Sequence, residues 1–322
     1  MTRIYKRIQA MLATLLLTLV SQSADAQECQ SCCEPCGKFY LSADLLYWTA
    51  HQSGINECFT LKDSDHIDSR HVISRFKGKV EEPSRNWDLG YRLGLGYEFG
   101  CDWNAAVYWT HFDSNSGKNH GHHHCFNWKI DFDVVDVLLA KKIDAGSCVT
   151  LKPFLGLRGA YIDQRVKTTF IGTHEDHSYS DCAESSYSYG CVNNLAKTDN
   201  KSKFSGIGPL IGVEADWNLG CGVSVYANAA VGGLYGRFHL HLKQSDEFLG
   251  GADCCDVTQH SHSCHGVFDA GLGVRWATCL CNDMELLVQL GLEHHTYFNQ
   301  NQFGNYGDLC LGGLTLGAGL SF

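Results

Sequence analysis

Polar and apolar residues alternate with a period of two along much of the chain. The clearest stretch is 87–100, where Trp87, Leu89, Tyr91, Leu93, Leu95, Tyr97 and Phe99 fall on one face. Asp88, Gly90, Arg92, Gly94, Gly96, Glu98 and Gly100 fall on the other. Period two marks a strand whose two faces meet different surroundings. This stretch far exceeds the roughly five or six residues of an ordinary soluble strand, while a tilted strand crossing a membrane takes about 9–11. The same pattern predicts strands over 39–48, 149–162, 204–217, 223–238, 266–278, 284–297 and 309–322, with a less regular one over 103–112. From 126 to 133, Phe126, Trp128, Ile130 and Phe132 alternate with Asn127, Lys129, Asp131 and Asp133. The phase then slips at Val134-Val135-Asp136, which predicts a β-bulge.

The spacing between these ten strands predicts how they connect. Cys101-Asp102 and residues 141–148, 218–222 and 279–283 are tight links, whereas 49–86, 113–125, 163–203, 239–265 and 298–308 are longer and polar. Short turns on one rim and long loops on the other are the layout of an outer-membrane barrel. The expected fold is therefore all-β: a transmembrane antiparallel up-and-down β-barrel of about ten strands, twelve if the long loops hide a further pair. It must close, because in lipid an open edge leaves a row of backbone groups unsatisfied at several kcal/mol each. The last strand alternates Leu314, Leu316, Ala318, Leu320 and Phe322 with Thr315, Gly317, Gly319 and Ser321. Ending on an aromatic, it has the form of a recognition signal for outer-membrane assembly machinery. A soluble secreted barrel is the competing reading, and strand length weighs against it.

The N-terminus changes the picture by giving a location. Arg3, Lys6 and Arg7 precede an apolar run over 8–20 and an Ala24-Asp25-Ala26 exit, the layout of a cleavable signal peptide. The expected organisation is a leader over 1–26, a Cys-rich periplasmic segment over 27–38 and a barrel over 39–322. A mean hydropathy of −0.18 does not exclude a membrane protein, because the polar half of each spanning strand averages the apolar half away. Formal charge is −10, and −12 once the leader's three basic residues and Asp25 are removed. That balance excludes nucleic acid as a partner, since phosphate binding needs clustered Lys and Arg.

Several segments carry a family resemblance. KIDFDVVDVLLAKKI (129–143), LKPFLGLRGAYIDQRV (151–166), FSGIGPLIGVEADWNL (204–219), GLEHHTYFNQNQF (291–303) and LGGLTLGAGLSF (311–322) occur in that order, after FYLSADLLYWTA (39–50). Together they resemble the Legionella-type major outer-membrane-protein-like family of pore-forming barrels, whose relatives include porin-like surface proteins of chlamydia-related bacteria. The resemblance implies a surface barrel of the porin kind, a water-filled passage for ions and small solutes, with no cofactor and no catalytic motif.

The candidate pore-lining residues are Asp44, Arg92, Lys152, Arg158, Glu214, Asp269, Arg275 and Glu293, with Asp216 and Glu285 beside them. Charges are costly against lipid, whereas inside a barrel they pair or line water. Whether that interior is open or plugged by salt bridges is not readable, because roughly eight strands give a filled interior and ten lie just beyond.

Seventeen cysteines beyond a leader predict disulfides in an oxidising compartment. The candidates are Cys29, Cys32, Cys33 and Cys36 near the start, Cys101, Cys148, Cys221, Cys279 and Cys281 at the short turns, and Cys182 with Cys191 in one loop. The count is odd, so at least one thiol is free or paired between chains. Intrachain stapling and cross-linking stand as equal alternatives, the latter into a homo-oligomer or to other envelope proteins. Histidines cluster in the outer loops, with His122, His123 and His124 in one and His260, His262 and His265 in another, as candidate metal ligands. Solvated loops without metal are the simpler reading.

Three functions compete: a diffusion pore, a structural or adhesive surface barrel favoured by a closed lumen, and a barrel hydrolase. The last would use His111 with Asp113, or Glu293 with His294 and His295, yet no nucleophile motif accompanies either pair. The expectation is a non-enzyme in the outer membrane, in contact with its lipids.

Overall fold

The computed structural model of the chain describes residues 37–55, 86–100, 102–120, 124–174, 192–246, 253–280, 284–303 and 307–322. The leader, the Cys-rich start and Cys101, Cys182, Cys191, Cys281, His122 and His123 lie outside these residues. So do the side chains of His124 and Cys125.

In chain order the strands are β1 (Lys38–Gln52), β2 (Trp87–Phe99), β3 (Trp103–His120), β4 (His124–Lys141) and a two-residue β5 (Ile143–Asp144). They continue as β6 (Val149–His174), β7 (Val192–Gly220), β8 (Val223–Asp246), β9 (Asp253–Cys279), β10 (Glu285–Tyr297) and β11 (Leu309–Ser321). Consecutive strands pair antiparallel except β4 and β5; β4 pairs instead with β6, and β1 pairs with β11. Setting the short β5 aside, this is a closed ten-stranded barrel, as the alternation predicted. At the seam, Phe39 and Phe322 exchange backbone hydrogen bonds of 2.9 and 2.8 Å, so the last residue completes the cylinder.

Short turns gather at one rim. In the β7–β8 turn, Asn218 Oδ1 accepts from the Gly220 amide at 2.9 Å, and Gly220, Cys221 and Gly222 all have positive φ. A Cβ on Gly222 would lie 2.1 Å from the Ala277 carbonyl oxygen, so the turn requires a residue without one.

The structure corrects two expectations. No bulge occurs at 134–136, because β4 keeps unbroken register there with both β3 and β6. Register shifts lie instead at Asn218/Gly220 and Gln244/Ser245. The slip in pattern is an inversion of polarity at constant geometry. Val135 and Val137 face outward and are exposed, as lipid demands, while Phe126, Trp128, Ile130 and Phe132 face inward and are buried. Beyond the lipid band the outside is water and the inside is protein core, so the apolar face changes sides. Second, the long polar links over 113–125, 163–203 and 239–265 are largely strand. β6, β7, β8 and β9 run 26, 29, 24 and 27 residues against the 13 of β2, β10 and β11. Their excess over the roughly 9–11 that span a bilayer projects one wall of the barrel beyond the membrane.

The outer surface records where lipid ends. Leu41, Leu45, Leu93, Leu95, Val137, Leu155, Leu157, Ile207, Leu290 and Leu316 are exposed apolar positions between aromatic belts. Tyr47, Tyr91, Trp109, Tyr161 and Tyr235 form the upper belt; Phe39, Tyr97, Phe99 and Trp103 form the lower. Above the upper belt the same outward rows turn polar, with His111 and Asp113 on β3, Asp131 and Asp133 on β4, and a Lys203–Asp163 ion pair of 3.0 Å.

Candidate functional site

The inward positions of the barrel form two layers. In the outer half, buried apolar side chains from every full strand but β2 fill the interior. They include Leu46 and Trp48 on β1, Phe112 on β3, Ile130 and Phe132 on β4, Ile162 on β6, Phe204 on β7, Phe238 on β8, Val267 on β9, Tyr297 on β10 and Leu309 on β11. Their rings interlock: Trp48 with Phe112 at 5.8 Å, Phe132 edge-on to Tyr297 at 5.4 Å, and Phe204 with Phe238 at 4.8 Å. Buried indoles need a partner. Trp48 Nε1 donates to Thr315 Oγ1 and Trp128 Nε1 to Gln164 Oε1, both at 3.3 Å.

Beneath this plug lies a layer of charge strung across the lumen. Arg92 on β2 forks onto Glu293 on β10 at 3.1 and 2.7 Å and reaches Asp44 on β1 at 3.4 Å. Glu293 lies 3.2 Å from His295 Nε2, and His295 Nδ1 lies 2.8 Å from Asp269 on β9. Asp269 meets Arg158 on β6 at 2.7 Å, and Arg158 forks onto Asp136 on β4 with two contacts of 2.7 Å. A second group holds Arg275 between Glu214 at 3.0 Å and Asp216 at 2.6 Å, with Lys152 2.9 Å from Asp216. Gln289 joins the groups, accepting from Arg275 at 3.3 Å and donating to Asp44 at 3.1 Å. These links connect walls that are not neighbours in the sheet, such as β6 with β9, so they brace the cylinder through its interior.

Below the charged layer the lumen opens into a cavity of about 1650 Å³ that reaches the short-turn rim. Trp48, Phe132 and Tyr297 roof it, the charged layer lines its upper wall, and Tyr40, Tyr108, Asn104 and Asn228 line its middle. At its mouth stand Asp102, Lys142, Cys148, Cys221 and Cys279. By the sidedness of such barrels this mouth faces the periplasm.

All eight candidate pore-lining residues point into the interior, where two ion-paired groups are joined by hydrogen bonds of Gln289. The pattern misses Asp136, Gln289 and His295, which complete this arrangement. The apparent phase slip hides Asp136, and the sequence presents His295 only as a member of a candidate catalytic pair. Glu293 and His295 sit beneath the plug inside the ion-pair chain, and His294 lies off that chain. His111 sits on the outer wall, closer to Asp133 (2.9 Å) than to Asp113 (3.6 Å).

The short-turn rim gathers cysteines from separate turns, Cys148, Cys221 and Cys279. Cys279 is disulfide-bonded, whereas Cys148, Cys264 and Cys310 carry free thiols. Of the candidate metal histidines, His260 and His262 are exposed on β9. His265 is buried, with Nδ1 2.9 Å from the Phe298 carbonyl oxygen, so it faces away from the other two.

A closed ten-stranded barrel with aromatic belts and an inward charge network is the setting in which the sequence match is decisive. The family model of the Legionella pneumophila major outer membrane protein precursor matches residues 32–318. The chain belongs to that family. It is accordingly an outer-membrane β-barrel. No curated protein matches the sequence. Among solved structures it is similar to the attachment invasion locus protein Ail of Yersinia pestis, at 11% identity over 89% of this chain and all of that one, with a TM-score of 0.30. It is also similar to the outer membrane protease OmpT of Escherichia coli, at 10% identity over 88% and 96%, with a TM-score of 0.38. A FadL homologue of Pseudomonas aeruginosa matches at 8% identity over 89% and 90%, with a TM-score of 0.33. For a member of the major outer membrane protein family, the plug above a charged vestibule is the feature that bears on what the barrel does.

Proposed function

We propose that this family member is a sealed surface barrel with a structural, non-enzymatic role in the outer membrane, its lumen a blind charged vestibule open to the periplasm. The apolar plug carries the reading. Moving an ion through the outer half would mean stripping its hydration among Trp48, Phe112, Ile130 and Phe132, which offer few polar partners. Glu293 and His295 are engaged in ion pairs beneath that plug, which removes the candidate catalytic pair from any substrate arriving at the surface. Delivery by a leader over 1–26 and assembly through the Phe322 strand belong to the same proposal. So does cross-linking of the envelope through cysteines, supported by three short turns that bring cysteines to one rim.

A second reading, a diffusion pore for ions and small solutes, is favoured by the 1650 Å³ charged vestibule. In that reading the plug moves aside. Single-channel recording of the refolded full-length protein in a planar bilayer separates the two. The sealed barrel gives no discrete steps, and a Trp48→Gly/Phe132→Gly variant gives steps or raised leak. Discrete steps from the wild type would overturn the sealed reading in favour of the pore.

A further inference from the structure

The tall wall formed by β8 and β9 carries histidines from two distant parts of the chain on one outward face. Register sets His239 opposite His260 and His241 opposite Thr258, with Asp256 one step further on the same row. The rings of His239 and His260 meet edge-on, centroids 4.3 Å apart. His241 Nε2 lies 3.1 Å from Asp256 Oδ1. His239, His260 and Asp256 are exposed and His241 half-buried, so these side chains reorient without displacing packed neighbours. His239 stands four residues past Tyr235 of the upper belt, roughly 13 Å further along the strand at about 3.3 Å per residue, on the water side of the membrane.

We propose that the cross-strand pair His239 and His260 forms a binding site for a divalent first-row transition cation of the Zn²⁺, Ni²⁺ or Cu²⁺ class. Imidazole nitrogen is the ligand type these cations share. A directly opposed cross-strand pair supplies two such groups on a rigid backbone. Zinc takes four ligands at about 2.0–2.1 Å for imidazole nitrogen, so water completes the shell. His262 is excluded. Its Nε2 accepts from Arg237 Nε at 3.4 Å, which places a guanidinium where a cation would have to sit.

The test is calorimetric titration of the full-length protein, refolded in detergent micelles, with zinc chloride at pH 7. The wild type binds zinc, and His239→Ala/His260→Ala loses one equivalent or weakens the tightest phase tenfold or more. His262→Ala keeps that phase. Because these substitutions lie on an exposed face, all variants retain the heat-modifiable gel mobility of the folded barrel. Protons compete with the metal for its ligands, so the phase also weakens on acidification. An unchanged isotherm for the double variant overturns the proposal, as does an equal loss in His262→Ala.

Discussion

Arg158 shows what a single interior residue does here. Its guanidinium forks onto Asp136 and touches Asp269, so two carboxylates from opposite walls depend on one cation. Removing one partner of a buried ion pair leaves uncompensated charge, at a cost of about 3–5 kcal/mol. Arg158→Met is therefore expected to lower unfolding stability by about that much, read as a drop in the urea midpoint of the barrel in micelles. A loss below about 1 kcal/mol would mean that water, not Arg158, compensates the two aspartates. Arg158 itself was legible as an inward charge, because it breaks an apolar row in a spanning strand. Its partners were less so: Asp136 stands at the change of phase, and no local pattern pairs residues 22 or 111 positions away.

Along a single element, polarity follows the medium at each height. On β3 the outward row runs Val107, Trp109, His111, Asp113, from lipid through the aromatic belt to water. On β4 the same transition made one regular strand look like two phases. Because the register never breaks, a substitution's cost depends on height along the strand. Leu93→Arg, in the lipid band of β2, is expected to cost about 2–4 kcal/mol, the penalty for a basic residue near the bilayer midplane. Asp113→Arg, beyond the belt, is expected to stay within about 0.5 kcal/mol, as surface substitutions do. Refolding of both variants into lipid vesicles with urea titration measures the difference; equal costs would show that the belt does not mark the edge of the lipid. Strand existence and face were readable from alternation. Strand extent was not, because outside the lipid a ribbon no longer needs an apolar outer face.

At the scale of the molecule, three short turns separated in sequence place Cys148, Cys221 and Cys279 around one mouth. If that rim tethers the envelope, the protein purified from membranes runs on a non-reducing gel as oligomers that collapse to a monomer with reductant. A monomer band without reductant would leave only intrachain stapling. Closure also turns ten separate inward rows into one interior. The ion-pair chain from Asp44 to Asp136 and the plug above it exist only because the β1–β11 seam curls the sheet until opposite walls meet.

Strand order, the inward and outward faces within the lipid band, the rim that holds the short turns and the eight inward charges are all legible along the chain. Each follows from a rule that acts along one strand: period two, the cost of charge in lipid, and the length needed to cross. Which charges pair, the filling of the outer half of the lumen and the approach of His239 to His260 come only from the folded barrel. Those outcomes depend on barrel circumference and inter-strand register, which join residues far apart in the chain and leave no periodic trace in either partner's own segment.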